Sequence, residues 1–152
     1  MNAVRISDDR LAAEVAAGST AVMGIGGVEP DSLAKRLALL QTYRSAGVPF
    51  MAVIHPAAYV SPTAVLGEGA IVLAGAVVQP GASIGHGGIV NTLSVVEHDS
   101  EIGEGSHVAP GAIVLGGCRI GDCCMVGAGA IVLPGSEVPP KSLIAAGTRY
   151  PS

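Results

Sequence analysis

The chain has 152 residues and a formal charge of −4, with 12 acidic against 8 basic residues, a balance that gives no support to a nucleic-acid partner. Aromatic residues make up 3% and charged residues 13%, while glycine occurs 22 times, which argues against a helical or doubly wound domain and for packing through small side chains at many sharp corners. No cationic and apolar leader opens the chain, and the uncharged stretch 69–96 is interrupted by Gln79, Pro80, His86, Asn91 and several glycines, so neither a signal peptide nor a membrane span is expected. Cys118, Cys123 and Cys124 cannot all pair within one chain, and without an export signal they are expected to be free thiols in the cytoplasm.

Residues 1–53 read as a small α/β unit. Residues 8–17 (DDRLAAEVAA) are a helix candidate and 20–25 a strand; 31–46 (DSLAKRLALLQTYRSA) form a second helix opened by Asp31 and closed by Gly47, and 49–54 a second strand. This β-α-β unit is expected to dock on the base of the structure that follows. Gly24-Ile25-Gly26-Gly27 resembles a phosphate-cradling loop, although the G-x-G-x-x-G fingerprint is absent and an ordinary strand-end turn is the competing reading.

From Ile54 a six-residue period takes over. Steps of six from Ile54 through Val60, Leu66 and onward to Val138 and Ile144 meet 16 aliphatic residues without exception. The window 54–149 holds 28 Ile, Leu or Val, of which random placement would put about five on this phase. Four residues after each stands Ala, Gly, Ser, Cys or Thr, from Ala58 to Thr148. Three short parallel strands per 18-residue coil, with aliphatic and small residues inward, give a prism about 25 Å tall at the usual strand spacing. Gly67, Gly85, Gly103, Gly121 and Gly127 follow an inward aliphatic directly and are expected to serve corners with unusual φ/ψ. The domains are therefore 1–53, 54–149 and a tail, 150–152.

The residues before each inward aliphatic point outward in three columns. The first holds Tyr59, Val77, Val95, Ile113, Ile131 and Arg149; the second Val65, Ser83, Glu101, Arg119 and Glu137; the third Ile71, Ile89, His107, Met125 and Leu143. Two apolar columns on one monomer form a large adhesive surface, and a closed homotrimer with the first face of one copy on the third face of the next would cover both.

Of four histidines, His55 and His86 are expected to be structural or solvent-facing. His98 lies in Val96-Glu97-His98-Asp99 at the edge of the first face, and His107 stands in the third column. On different sides of one coil, the two would line one cleft in the trimer. An imidazole beside a carboxylate suits a general base, since it titrates near neutral pH, and by sequence Glu97 and Asp99 are both candidates for that carboxylate. The competing readings are a solvated corner histidine for His98 and an interface histidine bonded to a backbone carbonyl for His107.

Ile54-His55-Pro56, Val90-Asn91-Thr92, Val95-Val96-Glu97-His98-Asp99 and Ile102-Gly103-Glu104-Gly105-Ser106-His107-Val108 together resemble the bacterial sugar O-acyltransferase family of hexapeptide-repeat transferases, which includes sialic-acid O-acetyltransferases and UDP-4-amino-sugar N-acetyltransferases. The resemblance implies an all-β left-handed parallel β-helix, preceded here by a truncated α/β unit, and an acetyl-CoA-dependent acetyltransferase acting on an amino or hydroxyl group of a sugar or nucleotide sugar. It implies His98 as proton acceptor with Asp99 as its partner. Acetyl-CoA would be met by His107 and by the backbone near Gly116, Ala128 and Ala146, and the sugar side by Gly26, Glu29 and Asn91. The family's usual opening strand, Gly-rich turn and helix, which hold the uridine part of the substrate, do not precede these residues. A truncated chain, a pocket completed otherwise and an acceptor that is not a nucleotide sugar all stay open. Three rival readings share the prism. A γ-carbonic-anhydrase type of zinc enzyme needs an H-x4-H spacing that the sequence lacks, and the cysteines give no metal site, so no metal is expected. The other rivals are a non-catalytic trimeric scaffold and an acetyltransferase of small non-sugar amines.

Overall fold

The computed structural model describes residues 8–151; the first seven residues of the predicted α/β unit and Ser152 of the predicted tail lie outside it. Helices α1 (Asp8–Ala16) and α2 (Pro30–Ser45) precede seventeen two-residue strands, β1 (Val53–Ile54) to β17 (Arg149–Tyr150). Each strand pairs in parallel with the one 18 residues on, as in Val53↔Ile71 and His107↔Met125. The result is three parallel sheets of six, six and five strands, whose outward residues are the three predicted columns. The coil runs to Tyr150, which pairs opposite Val132.

The core repeats the sequence period. Val72, Val78, Val90, Val96, Val108, Val114, Val126 and Val132 are fully buried, and Ala70, Ala76, Ala82, Ala112 and Ala130 fill the corners between them. Serines also occupy inward corner positions because each finds a carbonyl: Ser94 Oγ donates to Asn91 at 2.6 Å, Ser100 Oγ to Leu115 at 2.8 Å and Ser106 Oγ to Gly121 at 2.7 Å. The three cysteines are free and buried. Burial raises all three thiols above their ordinary value, so none is poised as a thiolate nucleophile. Cys123 lies outside the coil but is covered by α2.

The glycines do a different job from the one expected. Gly67, Gly85, Gly103, Gly121 and Gly127 do not have positive φ; that conformation falls two residues later, at Gly69, Gly87 and Gly105 among others, and at the non-glycines Leu93, Asp99, Cys123 and Lys141. The glycine after each inward aliphatic is needed for approach: a Cβ at Gly103 would lie 2.5 Å from the Gly121 backbone and one at Gly127 2.5 Å from Ala146 N.

The N-terminal layer packs on the side of the prism, not on its base. Pro30 opens α2, the Ser32 hydroxyl accepts from the Glu29 N–H at 3.1 Å, and Gly47 closes it with φ +83, its N–H donating to Arg44 O. The buried face Leu33, Arg36, Leu37 and Leu40 follows the i, i+3, i+4, i+7 spacing. It packs with Met23, Val48 and Phe50 against Ile71, Ala109, Cys123 and Met125 of the coil. The predicted strands 20–25 and 49–54 meet only in one parallel bridge, Ala21↔Phe50, because the end of the second, Val53–Ile54, pairs with Ile71–Val72 of the coil instead. Ile89, His107 and Met125 are therefore buried within one chain. This corrects the predicted assembly: the middle of the third face is covered by the chain's own helix and is not free for a neighbouring copy.

Candidate active site

His98 and Asp99 sit at the corner between the first and second faces, after β8 (Val95–Val96). His98 Nδ1 lies 3.0 Å from Asp99 Oδ2, and among the described residues Nε2 has no hydrogen-bond partner. Asp99 has φ +59, a conformation in which Asp is among the better tolerated residues, and its N–H donates to Pro80 O one coil earlier. A carboxylate beside Nδ1 favours the tautomer with the proton on Nδ1, which leaves the Nε2 lone pair free to accept a proton. Both side chains are exposed in the single chain.

Across the first face stands a second corner with Asn91, Ala128 and Ala146. Ala128 and Ala146 are exposed and stacked one coil apart, with Ala128 O accepting from Gly147 N–H at 2.8 Å. Asn91 joins this corner to the third face: its Nδ2 lies 2.9 Å from His107 Nε2, and its Oδ1 accepts from Thr92 N–H at 2.7 Å. His107 Nδ1 donates to Gly27 O at 2.7 Å. Both ring nitrogens of this buried histidine are thus satisfied within the chain. Burial holds it below its ordinary pKa, with the Gly27 carbonyl opposing that shift and the Arg36 charge adding to it. The structural reading of His107, a histidine bonded to a backbone carbonyl, describes its surroundings, except that the carbonyl belongs to its own chain.

Arg36 fixes the same loop. Its Nε donates to Ile25 O at 2.5 Å and its Nη1 to Gly87 O. Gly26 lies exposed between the two pinned carbonyls, and Glu29 is exposed just before α2. The site residues thus border the uncovered first face: His98, Asp99 and Gly116 on one edge, Asn91, Ala128 and Ala146 on the other, with Gly26 and Glu29 in the adjoining layer. Residue spacing did not identify Gly27 and Arg36, because loop, helix and coil meet only in the folded chain. His55 and His86 act locally, accepting from Ala57 N–H and Glu68 N–H. A groove runs down the polar second face past His86, Glu101 and Arg119 and is lined by none of His98, Asp99, Asn91, Gly116, Ala128, Ala146, Gly26 or Glu29. Among the described residues no group of three or more His, Cys, Asp or Glu is placed to hold a metal ion, and no helix is long and apolar enough to cross a membrane.

The three-faced parallel coil is a parallel β-helix with an imidazole–carboxylate pair at one corner. Residues 99–134 match the bacterial transferase hexapeptide (six repeats). No curated protein matches the chain by sequence. Among solved structures it is similar to PerB from Caulobacter crescentus in complex with CoA and GDP-perosamine, at 33% identity over 93% of this chain and 67% of that one, with TM-score 0.84. It is also similar to the acetyltransferase domain of PglB from Neisseria gonorrhoeae FA1090 in complex with acetyl coenzyme A, at 36% identity over 76% of this chain and 56% of that one, with TM-score 0.74. WeeI from Acinetobacter baumannii AYE matches at 25% identity over 77% of this chain and 62% of that one, with TM-score 0.61. The chain belongs to the hexapeptide-repeat sugar acetyltransferases, and its coil is their left-handed parallel β-helix. It spans a little over half of the PglB acetyltransferase-domain chain.

Proposed function

We propose that the chain is an acetyl-CoA-dependent acetyltransferase whose acceptor is the amino group of a sugar or nucleotide sugar, with hydroxyl acceptors second. The observation that carries this reading is His98, with Nδ1 on the Asp99 carboxylate and Nε2 open. Nε2 takes the proton of the acceptor amine as its nitrogen attacks the thioester carbonyl. The C–S bond then breaks, and the thiolate of CoA leaves with the proton returned by the imidazolium. Backbone N–H groups at the corners stabilise the oxyanion. The preference for an amine follows PerB, described as a perosamine N-acetyltransferase and held with GDP-perosamine.

Acetyl-CoA lies in the cleft between neighbouring copies, met by Gly116 at one edge of the first face and by Ala128 and Ala146 at the other edge of the next copy. His107 contributes through Asn91, whose amide it orients toward the shared corner, so that in this reading Asn91 serves the coenzyme there instead of the sugar side that the resemblance implies. Gly26 and Glu29 face the sugar side. The protein works as a cytoplasmic homotrimer. Val77, Val95, Ile113 and Ile131 are only half-buried in one chain, and a neighbouring copy covers them and closes the cleft over His98. A turnover screen tests the reading: free CoA is measured with acetyl-CoA and, in turn, GDP- and UDP-linked amino sugars, sialic acids and small amines. Turnover with a sugar is the expected result. Binding of acetyl-CoA with turnover only of small amines contradicts the acceptor class, and failure to bind acetyl-CoA contradicts the enzyme reading altogether.

A further inference from the structure

His98 and Asp99 have side chains 65% and 74% exposed, so burial does not fix their geometry. An exposed imidazole ordinarily samples several rotamers and both neutral tautomers. Two glycines, one coil to either side, supply the constraint. Eighteen residues after His98 stands Gly116, where a Cβ would lie 2.7 Å from Nε2, 2.8 Å from Cε1 and 3.2 Å from Cδ2 of the imidazole. Eighteen before Asp99 stands Gly81, where a Cβ would lie 2.4 Å from Oδ1.

The two glycines are not equivalent. Gly81 has φ +72, so the turn itself favours glycine there. Gly116 has no such backbone demand, as it lacks positive φ. It stands two residues after an inward aliphatic, and the fifteen other positions of that phase hold Pro, Ala, Glu, His, Thr or Asp and no glycine. The coil therefore accepts a side chain at this position everywhere else. What distinguishes position 116 is the histidine lying over it.

We propose that Gly116 is a positioning residue for His98: its bare Cα is the bed on which the imidazole lies flat, with Nδ1 turned to Asp99 and Nε2 presented to the acceptor. This role of a missing side chain goes beyond a backbone contact with acetyl-CoA, and its catalytic consequence rests on the proposed assignment of His98 as base. A methyl group at 116 meets the far end of an exposed, rotatable side chain, so the ring moves and the fold stays.

The test is Gly116→Ala, read by long-range 15N–1H correlation of the histidine rings in the unliganded protein together with steady-state kinetics. The His98 signals should leave the Nδ1–H tautomer pattern, and kcat should fall about 10–100-fold, the scale of a misplacement near 1 Å. Unchanged His98 signals overturn the proposal. Changed signals with unchanged kcat uphold the bed and instead remove His98 as the base. Combining Gly116→Ala with His98→Ala guards against a simple folding defect. The double variant should melt with His98→Ala, and a melting temperature well below it would place the need for glycine in the backbone and overturn the proposal.

Discussion

His107 donates from Nδ1 to the carbonyl of Gly27 at 2.7 Å, joining the coil to a loop 80 residues earlier in the chain. Through Asn91, the same ring is connected to the corner that borders the first face. The loop beside Gly26 and the corner at Asn91 are thus parts of one hydrogen-bonded unit.

That unit makes stability depend on pH. The folded state holds His107 below its ordinary value of 6.5, so the unfolded chain takes up the proton first as pH falls. Stability contributed by neutral His107 is therefore complete above 6.5 and is lost as pH drops from there toward the folded value. Urea unfolding at a series of pH values between 7.5 and 5 should show this loss, and His107→Gln should flatten that part of the curve. A variant with the same slope as the parent removes His107 as its source.

His107→Ala should also weaken acetyl-CoA binding, by releasing Asn91. Asn91→Ala should reproduce most of that loss, and the two together should lose little more than either alone. Calorimetry on the three variants reads the coupling, and additive losses would mean that the two residues act independently.

Leu40 is fully buried where α2 crosses the coil. Leu40→Ala should cost about 2–5 kcal/mol of stability, the usual range for a buried leucine, measured by denaturant unfolding. A loss well under 1 kcal/mol would show that the layer contributes little to folding.

The proposed assembly rests on the first face. Ile113→Glu places a charge in the middle of the column formed by Val77, Val95, Ile113 and Ile131 and should give monomer or aggregate in sedimentation. Ile89→Glu strikes a position already buried inside one chain and should impair folding instead. A folded monomer of the unaltered protein would end the trimer proposal.

The coil was legible in the sequence because its period is enforced by packing: an aliphatic every six residues turns one side chain of each strand to the core, although its hand followed from the family resemblance and not from the spacing. A histidine between two carboxylates was legible in the sequence, but Glu97 and Asp99 are equally adjacent to it, and the fold turns Nδ1 to Asp99. The side of the prism that α2 covers was not, since an apolar column has the same composition under the chain's own helix as under a neighbour. The positive-φ positions were placed two residues early because glycine is common at both places; only Leu93, Asp99, Cys123 and Lys141, non-glycines in that conformation, separate strain from close approach. The bed at Gly116 was present in the 18-residue step from His98 but acquires meaning only when the ring is seen lying on it.

The most direct measurement is the steady-state rate of His98→Ala with an accepted sugar. If Nε2 is the proton acceptor, kcat should fall about 10²–10⁴-fold with KM for acetyl-CoA little changed, because the base acts on the acceptor and not on the coenzyme. Asp99→Asn should cost less, since Nδ1 keeps a polar neighbour. Full activity of His98→Ala would contradict the account and require a different base.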